Sequence, residues 1–253
     1  MVGVISEIFR FPLKGLSPER LPHVELRARH GLPGDRAYAF ALASSAFDPA
    51  APRHMPKTNF LMLMRDEELA RLDTSFDAAK QTLTVRQDGV EVIGGSVAEA
   101  TGRARLENFF QEYLRLDARP RLVQAEDHMF SDRGEKLVSL QNLASIAEFG
   151  ARVGAEVQPI RFRANVHLHG LEPWEEMEWI GRNFCLGSAT LQVVDPIRRC
   201  AATTVNPETA ERDVNVPKLL MEEYGHMNMG IYARVIAPGA IAEGDKLEIG
   251  VTG

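Results

Sequence analysis

Val24-Glu25-Leu26-Arg27-Ala28-Arg29-His30-Gly31-Leu32-Pro33-Gly34-Asp35-Arg36-Ala37-Tyr38-Ala39-Phe40-Ala41-Leu42 reads as strand, turn, strand. The first six residues alternate apolar and polar side chains, the two-residue period of a half-buried strand. Gly31-Leu32-Pro33-Gly34 is a turn signal, and Ala37 to Leu42 forms the second strand. Asp35-Arg36 then sits at a strand mouth, where the charges either face a cleft or form a local ion pair. The same pattern of short strands continues outward. Leu83-Thr84-Val85 and Val90-Glu91-Val92, joined through Asp88-Gly89, predict a hairpin. Arg163 to His169 alternates, Leu186 to Leu191 reads as a tight hairpin, and Met229 to Val235 and Lys246 to Ile249 are further strands. Many short strands and few helices predict a β-rich α+β chain built on a barrel or a distorted sandwich.

Three stretches break the strand pattern. Asp66 to Leu72 predicts a short helix with acidic residues in its first turn, which suits the helix dipole. Ser96-Val97-Ala98-Glu99 matches a capping box, and Leu106, Phe109, Phe110 and Leu114 recur after it at helical spacing. A third helix is expected from Leu140 to about Arg152, with Leu140, Leu143, Ala144 and Ala147 on one apolar stripe. Its start would leave Ser139 and Asn142 near a cofactor. Ala46 to Lys57, rich in proline and small residues, predicts a loop.

A chain of 253 residues can bury a full core without staples. Two cysteines are too few for a disulfide framework, so a reducing, cytoplasmic setting is expected. The N-terminus lacks a basic start followed by an apolar stretch, and no run of about eighteen apolar residues occurs. No membrane association is therefore expected. A net charge of −6 argues against nonspecific nucleic-acid binding. Against that acidic background, Lys14, Arg36, Lys57, Arg161 with Arg163, and Arg198-Arg199 are basic points that could converge on an anion pocket or lie dispersed on the surface.

No H-E-x-x-H, G-x-S-x-G, Walker or G-x-G-x-x-G pattern is present. His167 and His169 share a strand face, which permits a metal but more often leaves two solvated imidazoles. Asp127-His128, Glu175-Glu176 and Glu222-Glu223 read as surface charge, Trp174 and Trp179 as loop anchors, and Cys185 as buried and inert. Cys200 is different because Arg198 and Arg199 adjoin it, and neighbouring guanidiniums favour a thiolate, which is a nucleophile or soft-metal ligand. A lone cysteine is also often a small buried hydrophobe.

The segments Phe11-Pro12-Leu13-Lys14-Gly15, Gly31 to Arg36, Arg161-Phe162-Arg163-Ala164-Asn165-Val166, Arg198-Arg199-Cys200 with Thr203-Thr204-Val205-Asn206-Pro207, Gly230-Ile231-Tyr232-Ala233 and Gly244-Asp245 occur in an order that resembles the molybdenum cofactor sulfurase C-terminal (MOSC) proteins, including amidoxime-reducing members. That resemblance implies a MOSC-type β-barrel with flanking helices over 96–253, preceded by an N-terminal β-barrel-like domain over 1–95. It also implies a molybdenum cofactor, molybdenum on a molybdopterin dithiolene, with Cys200 as metal ligand and catalytic residue. Lys14, Arg36, Arg163, Asn165 and Arg199 match family residues that hold the pterin and its phosphate; Arg198, Lys57, Ser139 and Asn142 join them by position. Gly15 stands where a serine commonly follows the lysine, and Ala210 where a glycine usually closes the turn. No membrane anchor of the mitochondrial type is expected.

The implied activity is reduction of small N-hydroxylated or N-oxide compounds, with electrons from a separate electron-donor protein, a flavin or iron–sulfur reductase. Two alternatives stay open: a sulfur carrier or sulfurtransferase using a Cys200 persulfide, and a noncatalytic module that binds or delivers the cofactor.

Overall fold

A computed structural model describes residues 2–250. In chain order its elements are β1 (Gly3–Arg10), β2 (Glu19–Leu21), β3 (His23–Leu26), β4 (Tyr38–Ala41), β5 (Leu72–Asp77), β6 (Thr82–Gln87), β7 (Val90–Ser96), α1 (Ala100–Tyr113), β8 (Arg121–Gln124), β9 (Val138–Asn142), α2 (Leu143–Val153), β10 (Val166–His169), β11 (Asn183–Leu186), β12 (Ala189–Arg198), α3 (Val216–Tyr224), β13 (Asn228–Ala237), β14 (Gly239–Ala242) and β15 (Lys246–Ile249).

Seven strands close on themselves in the order β10, β9, β13, β12, β11, β15, β1, and β1 returns to pair with β10. Only β9 and β10 run parallel. Closure removes the free edges that an open sheet would present. Alternate residues of these strands, among them Ile5, Leu140, Val166, Leu191, Ile231 and Leu247, fill the interior. The expected β-rich α+β class, a β-barrel with flanking helices, is what the chain adopts.

Outside the barrel, β5, β6 and β7 form an antiparallel sheet, β4 pairs with β8, and β3 with β14. A second core joins Phe40, Leu69, Leu83, Leu106 and Phe110 beneath α1. Position 95/96 falls within the last residues of β7, four residues before α1. The first strand, although ahead of that point, is a barrel stave, and the β4–β8 pair joins residues on either side of it.

Several local expectations are corrected. Leu140 is not helical: Val138–Asn142 is a strand pairing with both β10 and β13, and the helix begins at Leu143. A short apolar run fits either element, and strand partners decide between them. The Ser96 hydroxyl accepts bonds from the Ala98 and Glu99 amides (3.2 Å each), so it caps the turn before α1, whose N-cap is Glu99. The strand expected over Val24 to Arg29 ends at Leu26, and Asp66 to Leu72 holds a 3-10 helix over Glu67–Arg71. Glu176 is buried rather than on the surface, bonded to Asn142 and Ser145. His167 is buried against Glu7, and only His169 is exposed. Cys185 is half-buried.

A cationic cavity around Cys200

A cavity of about 370 Å³ opens where the barrel meets the N-terminal sheets. Its walls carry Lys14, Arg36, Lys57, Arg133, Arg161, Arg163, Arg198 and Arg199, against only Asp132 and Glu135. On a chain of net charge −6, that is a local reversal of sign. The basic points that lie far apart in sequence therefore converge.

Three elements deliver the cations. The turn after β1 brings Lys14, and the segment before β4 brings Arg36 in the left-handed region (φ 49°). Arg163, also left-handed (φ 53°), ends a 3-10 turn and is not in a strand as expected. Arg36 donates to the Arg163 carbonyl (2.9 Å) and pairs with the buried carboxylate of Asp35, whose other oxygen accepts from the Phe11 amide (2.8 Å). Both guanidiniums lie over the Phe11 ring, at 4.8 Å for Arg36 and 4.3 Å for Arg163. An aromatic face stabilises cations that would otherwise repel. Burial, with Arg36 adding to it, lowers the Arg163 pKa to about 9, which still leaves the group charged at neutral pH. No protein acceptor meets the Arg163 guanidinium among the described residues, and its buried Nη2 has no partner. A buried charged donor without a partner costs several kcal/mol in typical cases, and an anion is the kind of partner that would offset it.

Lys14 is buried and donates to the Phe130 carbonyl (3.0 Å) and to Asp132 (2.6 Å). Burial pulls its pKa below the usual lysine value despite Asp132. Lys57 donates to the other Asp132 oxygen (3.2 Å) and also faces the Cys200 sulfur. Burial lowers its pKa, but Asp132 and Cys200 more than offset this, and the net direction is upward. Asp132, held between two ammonium groups, lies well below the ordinary carboxylate range although burial pushes it up.

Arg199 is buried and fully engaged, donating to the carbonyls of Met229 (2.7 Å) and Phe162 (2.9 Å) and to Gln141 Oε1 (2.8 Å). Burial lowers its pKa to about 10. Its charge meets no carboxylate in those bonds, so it supports the cavity as a fixed positive floor. Gly230 makes that seat possible: at φ +74°, a Cβ would stand 2.6 Å from the Leu140 oxygen and 3.0 Å from Arg199 Nη2. Arg198 is exposed at the rim and makes no side-chain bond. Cys200 is half-exposed in the wall, and its carbonyl accepts from Thr203, which fixes the turn that follows.

Ser139 and Asn165 line the cavity, but they hold each other. Asn165 Oδ1 accepts from the Ser139 hydroxyl (2.7 Å) and amide (3.1 Å), and Asn165 Nδ2 donates to the Phe9 carbonyl (3.1 Å). Together they clamp β1, β9 and β10 under the ligand space. Asn142 is a correction: it does not line the cavity. It caps α2 by accepting from the Ala144 amide (3.0 Å) and donates to Glu176 (2.9 Å). Gly15, where a serine was expected, has φ +84° and would place a Cβ 3.3 Å from the Leu61 carbonyl, so this turn disfavours any side chain. Asp132, Arg133 and Tyr232 were not anticipated from sequence. Arg161, by contrast, is neutralised by a two-pronged bond to Asp213 (2.9 and 3.1 Å).

Residues 124–248 match the model of the MOSC domain family. The chain is 22% identical to mitochondrial amidoxime-reducing component 1 of Mus musculus, over 97% of this chain and 82% of that protein. It is 24% identical to molybdenum cofactor sulfurase of Caenorhabditis elegans over 91% of this chain, which spans 33% of that protein. Among solved structures, the YuaD protein of Bacillus subtilis is similar over 98% of this chain and 96% of that one, with TM-score 0.47 and 13% identity.

Proposed function

Because this chain carries a MOSC domain over residues 124–248, we propose that it is a molybdenum-cofactor-dependent oxidoreductase that reduces small N-hydroxylated or N-oxide compounds. One observation carries the reading: a half-exposed thiol, Cys200, shares a cavity with the uncommitted Arg163 guanidinium and a surplus of fixed cations. The donor set fits the cofactor. Among the described residues, no three His, Cys, Asp or Glu side chains stand together as a metal site. A metal at Cys200 must then bring its remaining ligands with it, as a pterin dithiolene does, and a thiolate suits a sulfur-rich metal. Arg163, whose guanidinium has no protein acceptor, would hold an anionic phosphate, with Arg36 adding charge beside it, since guanidinium forks pair with phosphate oxygens. Lys57 sits beside the thiol, and Arg199 supplies preorganised charge from below.

When bound, the cofactor supplies two-electron oxygen removal from nitrogen. The chain's own residues bind and orient it, and the clamp of Ser139 and Asn165 keeps the cavity floor rigid. Electrons come from a separate flavin or iron–sulfur reductase. No helix among the described residues is long and apolar enough to cross a membrane. Expression in a molybdenum-replete host, with metal and pterin measured per chain, tests the proposal. Wild type should carry close to one of each, and Cys200→Ser should lose the metal while its fold, read by circular dichroism, persists. Metal retention with full reductase activity in Cys200→Ser would overturn the thiolate-ligand role. A labile extra sulfur on Cys200 without metal would favour the sulfurtransferase reading.

A further inference from the structure

Beside the cationic cavity lies a second cleft of about 80 Å³ with a different character. Its walls include Leu16, Leu63, Leu69, Leu72, Ile160 and Val205, closed by Ala70 and Pro207. Leu16, Leu69, Leu72 and Val205 are buried in the surrounding core, so the cleft is a formed feature rather than a surface dimple. Two cations reach it. Arg161 is already neutralised by Asp213 and bonded to Gln158 Oε1, which leaves Arg163 at the edge as the single uncommitted polar group.

The cleft and the cavity share Gly15, Leu63, Arg161, Arg163 and Ala202 as lining. Ala202 lies two residues past Cys200 on the 3-10 turn Ala201–Thr204, about 4 Å along it at 2 Å per residue. An apolar recess thus begins within one 3-10 turn of Cys200 along the backbone. A phosphorylated, polar pterin has no reason to occupy it. We infer that this cleft seats the apolar body, an aryl or short alkyl group, of the N-hydroxylated substrate, with the N–O end directed toward Cys200.

The inference rests on the proposed reduction, in which R–NH–OH takes up two electrons and two protons, the N–O bond breaks, and R–NH2 and water leave. In the assay, reduced methyl viologen supplies the electrons and buffer the protons. Wild-type protein loaded with cofactor would be compared on hydroxylamine and N-phenylhydroxylamine, which differ only in the apolar group. Ala70→Phe, which fills the cleft from the Glu67–Arg71 turn at a position outside the cavity lining, should raise KM for N-phenylhydroxylamine by about tenfold or more, the scale expected for excluding one aryl ring. KM and kcat for hydroxylamine, and molybdenum per chain, should stay within about twofold on the same scale of effects.

A second readout does not depend on turnover. Saturation-transfer NMR with aniline, the product of the aryl substrate, should detect binding to the wild type and lose it in Ala70→Phe. If Ala70→Phe fails to fold, Leu63→Ala, which widens the cleft, should shift both measurements instead. Equal KM values for the two compounds in wild type and variant, with aniline binding unchanged, would overturn the inference. Wild type that holds molybdenum, binds aniline at the cleft, and reduces neither compound would instead overturn the proposed reaction and leave the cleft as a binding site.

Discussion

Asp132 is a single carboxylate between two ammonium groups, and it joins the buried Lys14 to the Lys57 that faces Cys200. Its folded pKa lies below the value near 3.9 of a free aspartate. A depressed carboxylate contributes stability that is present above the unfolded pKa and is lost as the pH falls through it toward the folded one. Asp132→Asn should therefore cost about 1–2 kcal/mol at neutral pH, the lower range because solvent reaches 43% of the side chain. The cost should shrink as the pH is taken from about 5 to 3, since the carboxylate of the unfolded chain takes up its proton there while the folded one stays ionised. Urea unfolding across that range checks this; an equal loss at both ends would contradict it. Nothing in the sequence singles out Asp132, because an isolated aspartate in an irregular segment has no period and no motif. The cations were legible, since a run of basic points on an acidic chain stands out against its background. Their division of labour was not. Arg198 and Arg199 are adjacent, yet one faces solvent and the other is buried with three acceptors, a difference set by Met229, Phe162 and Gln141, all distant in sequence.

At the scale of elements, Asn142 ends β9 and caps α2 in one residue. Asn142→Ala should cost about 1–2 kcal/mol, from the lost cap and from the donor withdrawn from buried Glu176. Because Asn142 does not line the cavity, cofactor content per folded chain should not change. Parallel measurement of chemical denaturation and molybdenum content separates this from a ligand role, for which metal loss would precede any loss of stability. The polar residue at the helix start was visible in the sequence, but a cap and a cofactor donor carry the same local signature. Likewise, the apolar run at Val138–Leu140 fits a helix stripe until β10 and β13 are known to flank it. The hairpin through Asp88-Gly89 and the strand Lys246–Ile249 were fully legible, since their turn residues and alternation are local properties.

Across the whole molecule, β1 holds the architecture together. It pairs with β10 on one side and with β15 and β2 on the other, so without it the barrel has two open edges. A fragment comprising 96–253 should therefore lack independent stability and aggregate, since exposed strand edges template association. Size-exclusion chromatography and amide hydrogen exchange of the fragment test this, and a soluble monomer with protected β10 and β15 amides would contradict it. That the chain is barrel-based was readable from its many short strands. That its first strand closes the barrel was not, because pairing between Val4 and His169 leaves no trace in either segment alone.

The strand β15 is also synthesised after every residue that lines the cavity. A nascent polypeptide thus emerges with all its cations made but with the cylinder that should hold them unsealed. The walls that bring those cations together are complete only once the last stave is in register, so the cavity itself is a late, post-translational product of folding.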